Sequence, residues 1–375
     1  MAGCTPERRG IAGALLAATC LSLAGPAEAE FAGCEAIWQT PSHGQFYEHN
    51  PTYQDDRVLP WPVSAPEAQG MEGDALAAGI ERLARRPGVQ SVLVARHGVL
   101  VAERYGDGRD AAASNNLHSA SKSMLGALVG IALAEGAIAS LDDPVADYLP
   151  GKIDADDPRK VQITIRHLLT MSAGLAWEED VTEYRIDGAT DDWVGAILAL
   201  PMETAPGDAF NYSTGLTHVL SAAIAAATGE STCDYAMARL LHPLDIAPEH
   251  WGRDPQGIYS GGYNLYMTPR EMARFGQLYL QQGMWEGRQL VPAAWIAQSW
   301  QAAWDTGGGW DYGLLWWLTE RRGHAVAVAW GWRGQLIYAI PDLDIVAVVT
   351  TDTARDFPEV DAIDFIADTV IPSVR

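Results

Sequence analysis

The chain is 375 residues long and 48% hydrophobic, enough apolar material for a large folded core, and it carries a formal net charge of -23. So acidic a surface repels nucleic acid and anionic lipid, which argues against a role in binding either. The nine histidines and four cysteines fall in no metal-ligating spacing, with no His-Glu-x-x-His and no paired Cys-x-x-Cys, so neither a metal nor another cofactor is expected.

Arg8 and Arg9 precede the apolar run Ile11 to Leu23, and Ala27-Glu28-Ala29 closes it with the small-x-small pattern of a cleavage site. Residues 1–29 therefore read as a secretory signal peptide, which places the mature protein in the periplasm or outside the cell. Cys20 is a poor lipidation site because Thr19 precedes it. No later stretch reaches about eighteen uninterrupted apolar residues, so no membrane partner is expected once the signal is removed. Cys34 and Cys233 remain after cleavage. An oxidising compartment allows them to pair, and their wide separation leaves the pairing open.

Residues 30–70, rich in proline, aromatic and polar residues without a clear period, read as an extended arm. Met71 to Arg85 has helical spacing, with Leu76, Ile80 and Leu83 on one stripe. Val89 to Arg96 and Val99 to Tyr105 are β-rich runs joined by His97-Gly98, a two-residue hairpin connection. From Gly136 to about Ala303 the pattern is mostly helical, with segments at Ile165 to Met171, Trp193 to Leu200, Leu216 to Ala227, Cys233 to Leu240, Pro269 to Gln282 and Pro292 to Trp300. Three β-rich runs follow, His324 to Trp330, Gln335 to Ile340 and Ile345 to Thr350, and Val360 to Val370 closes the chain as a helix. Strands near both ends with helices between them imply an α+β fold: one sheet assembled from both termini, flanked by helices, with a helical subdomain inserted at about 136–303. Residues 71–375 form that domain.

Between the hairpin and the helical region lies Leu117-His118-Ser119-Ala120-Ser121-Lys122-Ser123, running into the apolar segment Met124 to Glu135. Ser119 and Lys122 stand three apart and share one face of a helix. A serine hydroxyl becomes a good nucleophile when a neighbouring base takes its proton, and an amine is that base when burial lowers its pKa. Alone, this spacing is better explained by chance or by a helix N-cap. Composition shifts the balance. Only Lys122, Lys152 and Lys160 among the 25 Lys and Arg are lysines, so arginine serves wherever a generic cation suffices. A lysine kept on an apolar helix points to a titratable amine, because arginine does not release its proton. Ser121 and Ser123 lack the spacing to Lys122 and read as supporting hydroxyls.

Two later stretches complete a candidate site. Tyr212, in the turn-rich Pro206-to-Gly215 segment, is a candidate proton shuttle if the Lys122 ammonium lowers its pKa. In Trp330-Gly331-Trp332-Arg333-Gly334-Gln335, between two predicted strands, the glycines permit close approach. The Gln335 N–H is a candidate partner for the Ser119 N–H in an oxyanion hole. Trp332 is the candidate substrate-facing tryptophan.

Together, Ser119-x-x-Lys122, the stretch Ile163 to Leu175 with its Leu168-Leu169-Thr170, Tyr212, Gly261-Gly262 and Met267-Thr268-Pro269 resemble the serine β-lactamase and penicillin-binding-protein superfamily. The similarity is to its class C-like branch, which includes esterases and nylon-oligomer hydrolases. The resemblance runs from about Leu76 to the C-terminus and implies the β-lactamase/transpeptidase fold. It also implies attack by Ser119 on a carbonyl to give an acyl-enzyme, with Lys122 and Tyr212 moving protons. Two departures stand out. The family's Tyr-x-Asn is Tyr212-Ser213-Thr214 here, with Thr214 in place of the amide. The sheet-edge Lys-Thr-Gly or His-x-Gly is Trp332-Arg333-Gly334, which removes the usual partner of a β-lactam carboxylate. The expected function is hydrolysis of a small ester or unstrained amide. A penicillin-binding type peptidase or β-lactamase is the second reading, and a degenerate ligand-binding module the third.

Overall fold

The computed structural model describes residues 33–37, 57–153, 156–355 and 359–375. Residues 1–29, expected to be a signal peptide, and much of the expected arm lie outside these residues. The described end of the arm lies against the predicted hairpin, where the Trp61 indole donates to the Gly98 carbonyl at 2.9 Å.

The helix α1 (Gly73–Ala84) leads into β1 (Val89–Arg96) and β2 (Val99–Tyr105). His97 and Gly98 both have positive φ, the backbone that a tight hairpin requires. The C-terminal half supplies β3 (Trp304–Gly307), β4 (Trp310–Tyr312), β5 (Trp317–Arg321), β6 (His324–Gly331), β7 (Gln335–Ile340) and β8 (Ile345–Thr351). All join one antiparallel sheet in the order β2-β1-β8-β7-β6-β5-β4-β3. The expected union of the termini is the pairing of β1 with β8, which places Val92 opposite Val349.

Both faces of this sheet are covered. Val92, Val94, Leu336, Tyr338 and Val349 pack with Leu76, Ile80 and Leu83 of α1 and with Phe365 near the C-terminus. On the other face Leu93, Ile337, Val346 and Val348 join the core built on the helices. A strand buried on both sides has no polar face to display, which is why β1 and β8 read as nearly continuous apolar runs rather than alternating ones.

The sequence pattern missed β3, β4 and β5. They are short, half-buried and interrupted by the Gly307-Gly308-Gly309 turn, so neither length nor alternation marks them. The long helical stretch also divides. The helix Pro269–Leu280, started by a Thr268–Glu271 capping box, lies on the sheet with Gly276 against Ile337 and Val346. The closing helix is Glu359–Phe365 followed by a π-helical turn at Ile366–Val370.

Cys34 and Cys233 form a disulfide with Cα atoms 6.0 Å apart. It fastens the short helix Cys34–Ile37 to the helical region, beside the Tyr259 hydroxyl that donates to the Cys34 carbonyl. Cross-linking so long a loop removes much of the unfolded chain's freedom, for a stabilisation of about 2–5 kcal/mol. Cys34→Ser should therefore lower the urea midpoint by a corresponding amount, and reductant should lower the wild type to the same value while leaving the variant unchanged.

Candidate active site

Ser119 lies in a 3-10 turn, His118–Ala120, that runs directly into the helix α2 (Ser121–Glu135). Residues three apart eclipse one another in 3-10 geometry, and Lys122 Nζ donates to Ser119 Oγ at 2.7 Å. From Ser121 to Ala132 every residue of α2 is buried. A helix buried all round needs no polar face, hence its uninterrupted apolar run. His118 has a φ of 45°, a strained backbone for a non-glycine residue. The turn is held by Asn116, whose side-chain oxygen accepts from the His118 N–H at 2.9 Å. Asn116 is itself fixed in a small sheet with Tyr266. Ser121 and Ser123 donate to the carbonyls of His118 and Leu315, a supporting role for both hydroxyls.

Lys122 is only 1% exposed. Besides Ser119 its amine reaches Thr214 Oγ1 at 2.9 Å and the Gly262 carbonyl at 3.3 Å. A Cβ on Gly262 would come within 2.9 Å of Nζ, so glycine is what lets this carbonyl close over the amine. Burial pulls the Lys122 pKa from 10.5 down to about 8, while Glu179, Glu183 and Asp180 oppose a larger fall. Glu183, buried near Thr214 on the helix Thr182–Asp187, is pushed up to about 8 by desolvation and by Glu179. Glu179 is held in place: its carboxylate accepts from the Thr214 hydroxyl, from Thr214 N at 2.9 Å and from the Trp177 indole at 2.5 Å.

Tyr212 is hydrogen-bonded to Ser119, and Lys122 Nζ lies 5.0 Å from its ring centre. Its position is fixed by Ser213, which caps the following helix, Thr214–Thr228, and by stacking on Trp317 at 5.8 Å. The expected lowering of its pKa does not occur. Burial, with Glu179 as the next cause, drives the phenol well above its ordinary value, so Tyr212 stays a neutral hydroxyl and Lys122 is the group brought toward neutral pH.

The β6–β7 turn closes the other side. A Cβ on Gly331 would sit 2.0 Å from the Leu117 carbonyl oxygen and 3.2 Å from Ala120 N, so the end of β6 lies directly on the Ser119 turn. Gln335 pairs with Gly331 across the hairpin, and its side-chain amide is turned away to Thr351, with bonds of 2.9 and 3.0 Å. That leaves the Gln335 backbone at this edge.

Trp332 lines the cleft and lies 5.5 Å from the His118 ring. Arg333, with a φ of 56°, folds over the Trp332 ring at 4.7 Å and donates to the Arg355 carbonyl at 2.6 Å. Arg333, Gly334 and Thr214 are not among the cleft-lining residues. The two turn residues shape the edge, and the Thr214 hydroxyl is engaged between Lys122 and Glu179.

The cleft over Ser119 has a volume of about 550 Å³. Phe210, Tyr212, Trp310, Trp317, Trp330 and Trp332 provide its aromatic wall, while Glu179, Asp180 and Glu359 provide carboxylates. Trp310, Trp317 and Trp330 read as core tryptophans in the sequence, and folding brings them to the cleft wall, two of them from the unrecognised strands. Glu359 accepts from the Trp330 indole at 3.0 Å and from the backbone N–H groups of Arg333 and Gly334, tying the C-terminal helix to the turn. Among the described residues no cluster of His, Cys, Asp and Glu is arranged to hold a metal ion.

A Ser-x-x-Lys pair at the start of a buried helix, beside an antiparallel sheet edge, defines a protein of the β-lactamase/transpeptidase fold. The sequence matches the Beta-lactamase family over residues 74–371, and the chain belongs to that family. A 6-aminohexanoate-dimer hydrolase of Paenarthrobacter ureafaciens is 27% identical over 312 residues, covering 73% of this chain and 76% of that protein. An uncharacterised protein of Alkalihalophilus pseudofirmus is 26% identical over 232 residues, covering 54% of this chain. The match spans 62% of that relative, less than two thirds of its length. The solved structure of EstCE1, described as a hydrolase with promiscuous acyltransferase activity, shares the fold. Its TM-score is 0.64 at 19% identity, over 79% of this chain and 98% of that one.

The contact at Gly331 gives a direct test of the site's assembly. Gly331→Ala must push the strand end off the Ser119 turn, and a displacement of about 1 Å at reacting groups lowers rates about 100-fold. Fluorophosphonate labelling of Ser119 should slow by that order while far-UV circular dichroism is unchanged.

Proposed function

We propose that this protein is a serine hydrolase that cleaves a small ester or unstrained amide through an acyl-Ser119 intermediate. The observation that carries the reading is the 2.7 Å bond between Ser119 Oγ and a buried lysine amine of lowered pKa. Neutral Lys122 takes the Ser119 proton as Oγ attacks the carbonyl carbon. The neutral phenol of Tyr212, bonded to Ser119, is placed to pass a proton to the departing alkoxide or amine, and the same groups then activate water against the acyl-enzyme. The N–H groups of Ser119 and Gln335 receive the developing oxyanion at the contact between the 3-10 turn and the strand edge.

The aromatic wall favours an apolar or linear acyl or leaving group. The relative named a 6-aminohexanoate-dimer hydrolase supports the unstrained-amide part of the proposal. The Arg333 guanidinium, folded over Trp332, leaves no cation at the edge position where the superfamily meets a β-lactam carboxylate. We further propose that the mature protein works in the periplasm or outside the cell, supported by the leader-like residues 1–29 and by a disulfide suited to an oxidising compartment.

Since the unprotonated amine is the reactive form, kcat/KM for a p-nitrophenyl ester should rise with pH and level off above about pH 8, following Lys122. Lys122→Arg keeps the charge but holds its proton, and should reduce kcat/KM by about 10²–10⁴-fold. A short p-nitrophenyl ester should be turned over with at least about tenfold higher kcat/KM than a chromogenic cephalosporin, the deficit expected from one missing charged hydrogen bond. Faster turnover of the cephalosporin would favour a β-lactamase instead.

A further inference from the structure

The replacement of the superfamily's asparagine by Thr214 leaves a question of hydrogen-bond direction at Lys122. A hydroxyl is both donor and acceptor. If the Thr214 hydroxyl turned its hydrogen toward Lys122, it would bind the lone pair of the neutral amine and block the base. The neighbouring carboxylate decides where that hydrogen goes: an ionised carboxylate only accepts, so Thr214 Oγ1 donates to Glu179 Oε1. Glu179 cannot rotate away, because Thr214 N and the Trp177 indole hold its other oxygen at 2.9 and 2.5 Å. Thr214 Oγ1 is thereby left to present a lone pair to Lys122, 2.9 Å away.

A neutral lysine amine has two hydrogens and one lone pair. Thr214 Oγ1 at 2.9 Å and the Gly262 carbonyl at 3.3 Å take the two hydrogens. The third contact is Ser119 Oγ at 2.7 Å, and the lone pair points there. We propose that Glu179 is a positioning residue which, through the Thr214 hydroxyl, fixes the direction of this hydrogen-bond chain so that the lone pair of Lys122 faces Ser119. This rests on the reading of Lys122 as the base. No atom is exchanged with Glu179: during attack the proton passes from Ser119 Oγ to Lys122 Nζ, and the ammonium keeps its bonds to Thr214 and Gly262.

The charged and titratable groups around the amine are Ser119 and His118 on its own turn, Tyr212, the carboxylates Glu179 and Asp180, and Glu183 on the next helix. Glu179 contributes charge as well as direction, and its negative charge keeps the Lys122 pKa from falling further. Its removal therefore has two separable effects. The inflection in the pH–rate profile moves to lower pH because charge is lost, and the high-pH plateau falls because direction is lost. Thr214→Val loses direction and one acceptor of the ammonium but keeps the Glu179 charge, so its inflection moves less than that of Glu179→Gln.

The test is the pH dependence of the second-order rate of fluorophosphonate labelling, followed by intact-protein mass, in wild type, Lys122→Ala, Glu179→Gln, Thr214→Val and Thr214→Ser. Glu179→Gln should drop the plateau about 10–100-fold with its inflection moved down, a loss within the usual range for proton-transfer catalysis. Thr214→Val should drop the plateau similarly with a smaller downward shift of its inflection than Glu179→Gln, and Thr214→Ser should restore both rate and inflection. Lys122-dependent labelling with wild-type plateaus in both Glu179→Gln and Thr214→Val would overturn the inference while leaving the hydrolase reading intact. Wild-type labelling that is indifferent to Lys122→Ala would overturn both. A drop that tracks only lost thermal stability, with no shift of inflection in Glu179→Gln and no rescue by Thr214→Ser, would reduce Glu179 to a structural residue and also overturn it.

Discussion

The structure around Ser119 depends on keeping one amine out of water. A buried ammonium is among the most unfavourable groups a fold can hold, and it is tolerated when its charge is lowered or its donors are met. Lys122 has both. Its pKa is lowered, and Ser119, Thr214 and the Gly262 carbonyl meet its three donor directions. The nearby carboxylates limit the fall in pKa, so the amine stays titratable at ordinary pH rather than becoming permanently neutral. Much of the local sequence follows from this. Glycine stands at 262 because a side chain would meet Nζ, and α2 is apolar because helices and the sheet enclose it.

The second constraint is the approach of two backbones. The Ser119 turn and the end of β6 come so close that Gly331 has no room for a Cβ, and the turn beyond it is gripped from outside by Glu359. The carboxylate therefore acts at a distance from the nucleophile, by holding the backbone N–H groups of Arg333 and Gly334. The left-handed backbone at His118 fits the same picture: a strained residue persists where its surroundings leave it no alternative.

How much of this is legible in the sequence depends on the range of the interaction. The hairpin Val89–Tyr105 is readable because β-rich runs flank a two-residue turn, and the Ser119–Lys122 pair because three-residue spacing is a local property. The eight-stranded sheet is only partly readable. Strands β3 to β5 gain their identity from pairing one upon the next outward from β6, and nothing within Trp304 to Arg321 announces a partner. Glu179 is invisible for a related reason. In the sequence it is one member of an acidic triplet, Glu178-Glu179-Asp180, that reads as a solvated loop, and its contact with Thr214 exists only after folding. The expected acidification of Tyr212 does not occur, since burial and carboxylates that sequence spacing does not place nearby, Glu179 first, raise the phenol, and only the Ser119 hydroxyl opposes them.

The pairing of β1 with β8 also bears on how such a chain is born. Strand β8 reaches β1 only across nearly all of the intervening fold, so the central sheet closes only after every element between them has been made, and the face that receives Leu93, Ile337 and Val348 stays open until then. Contacts of such long range form slowly. The topology itself therefore postpones closure of the sheet until both halves of the domain are available.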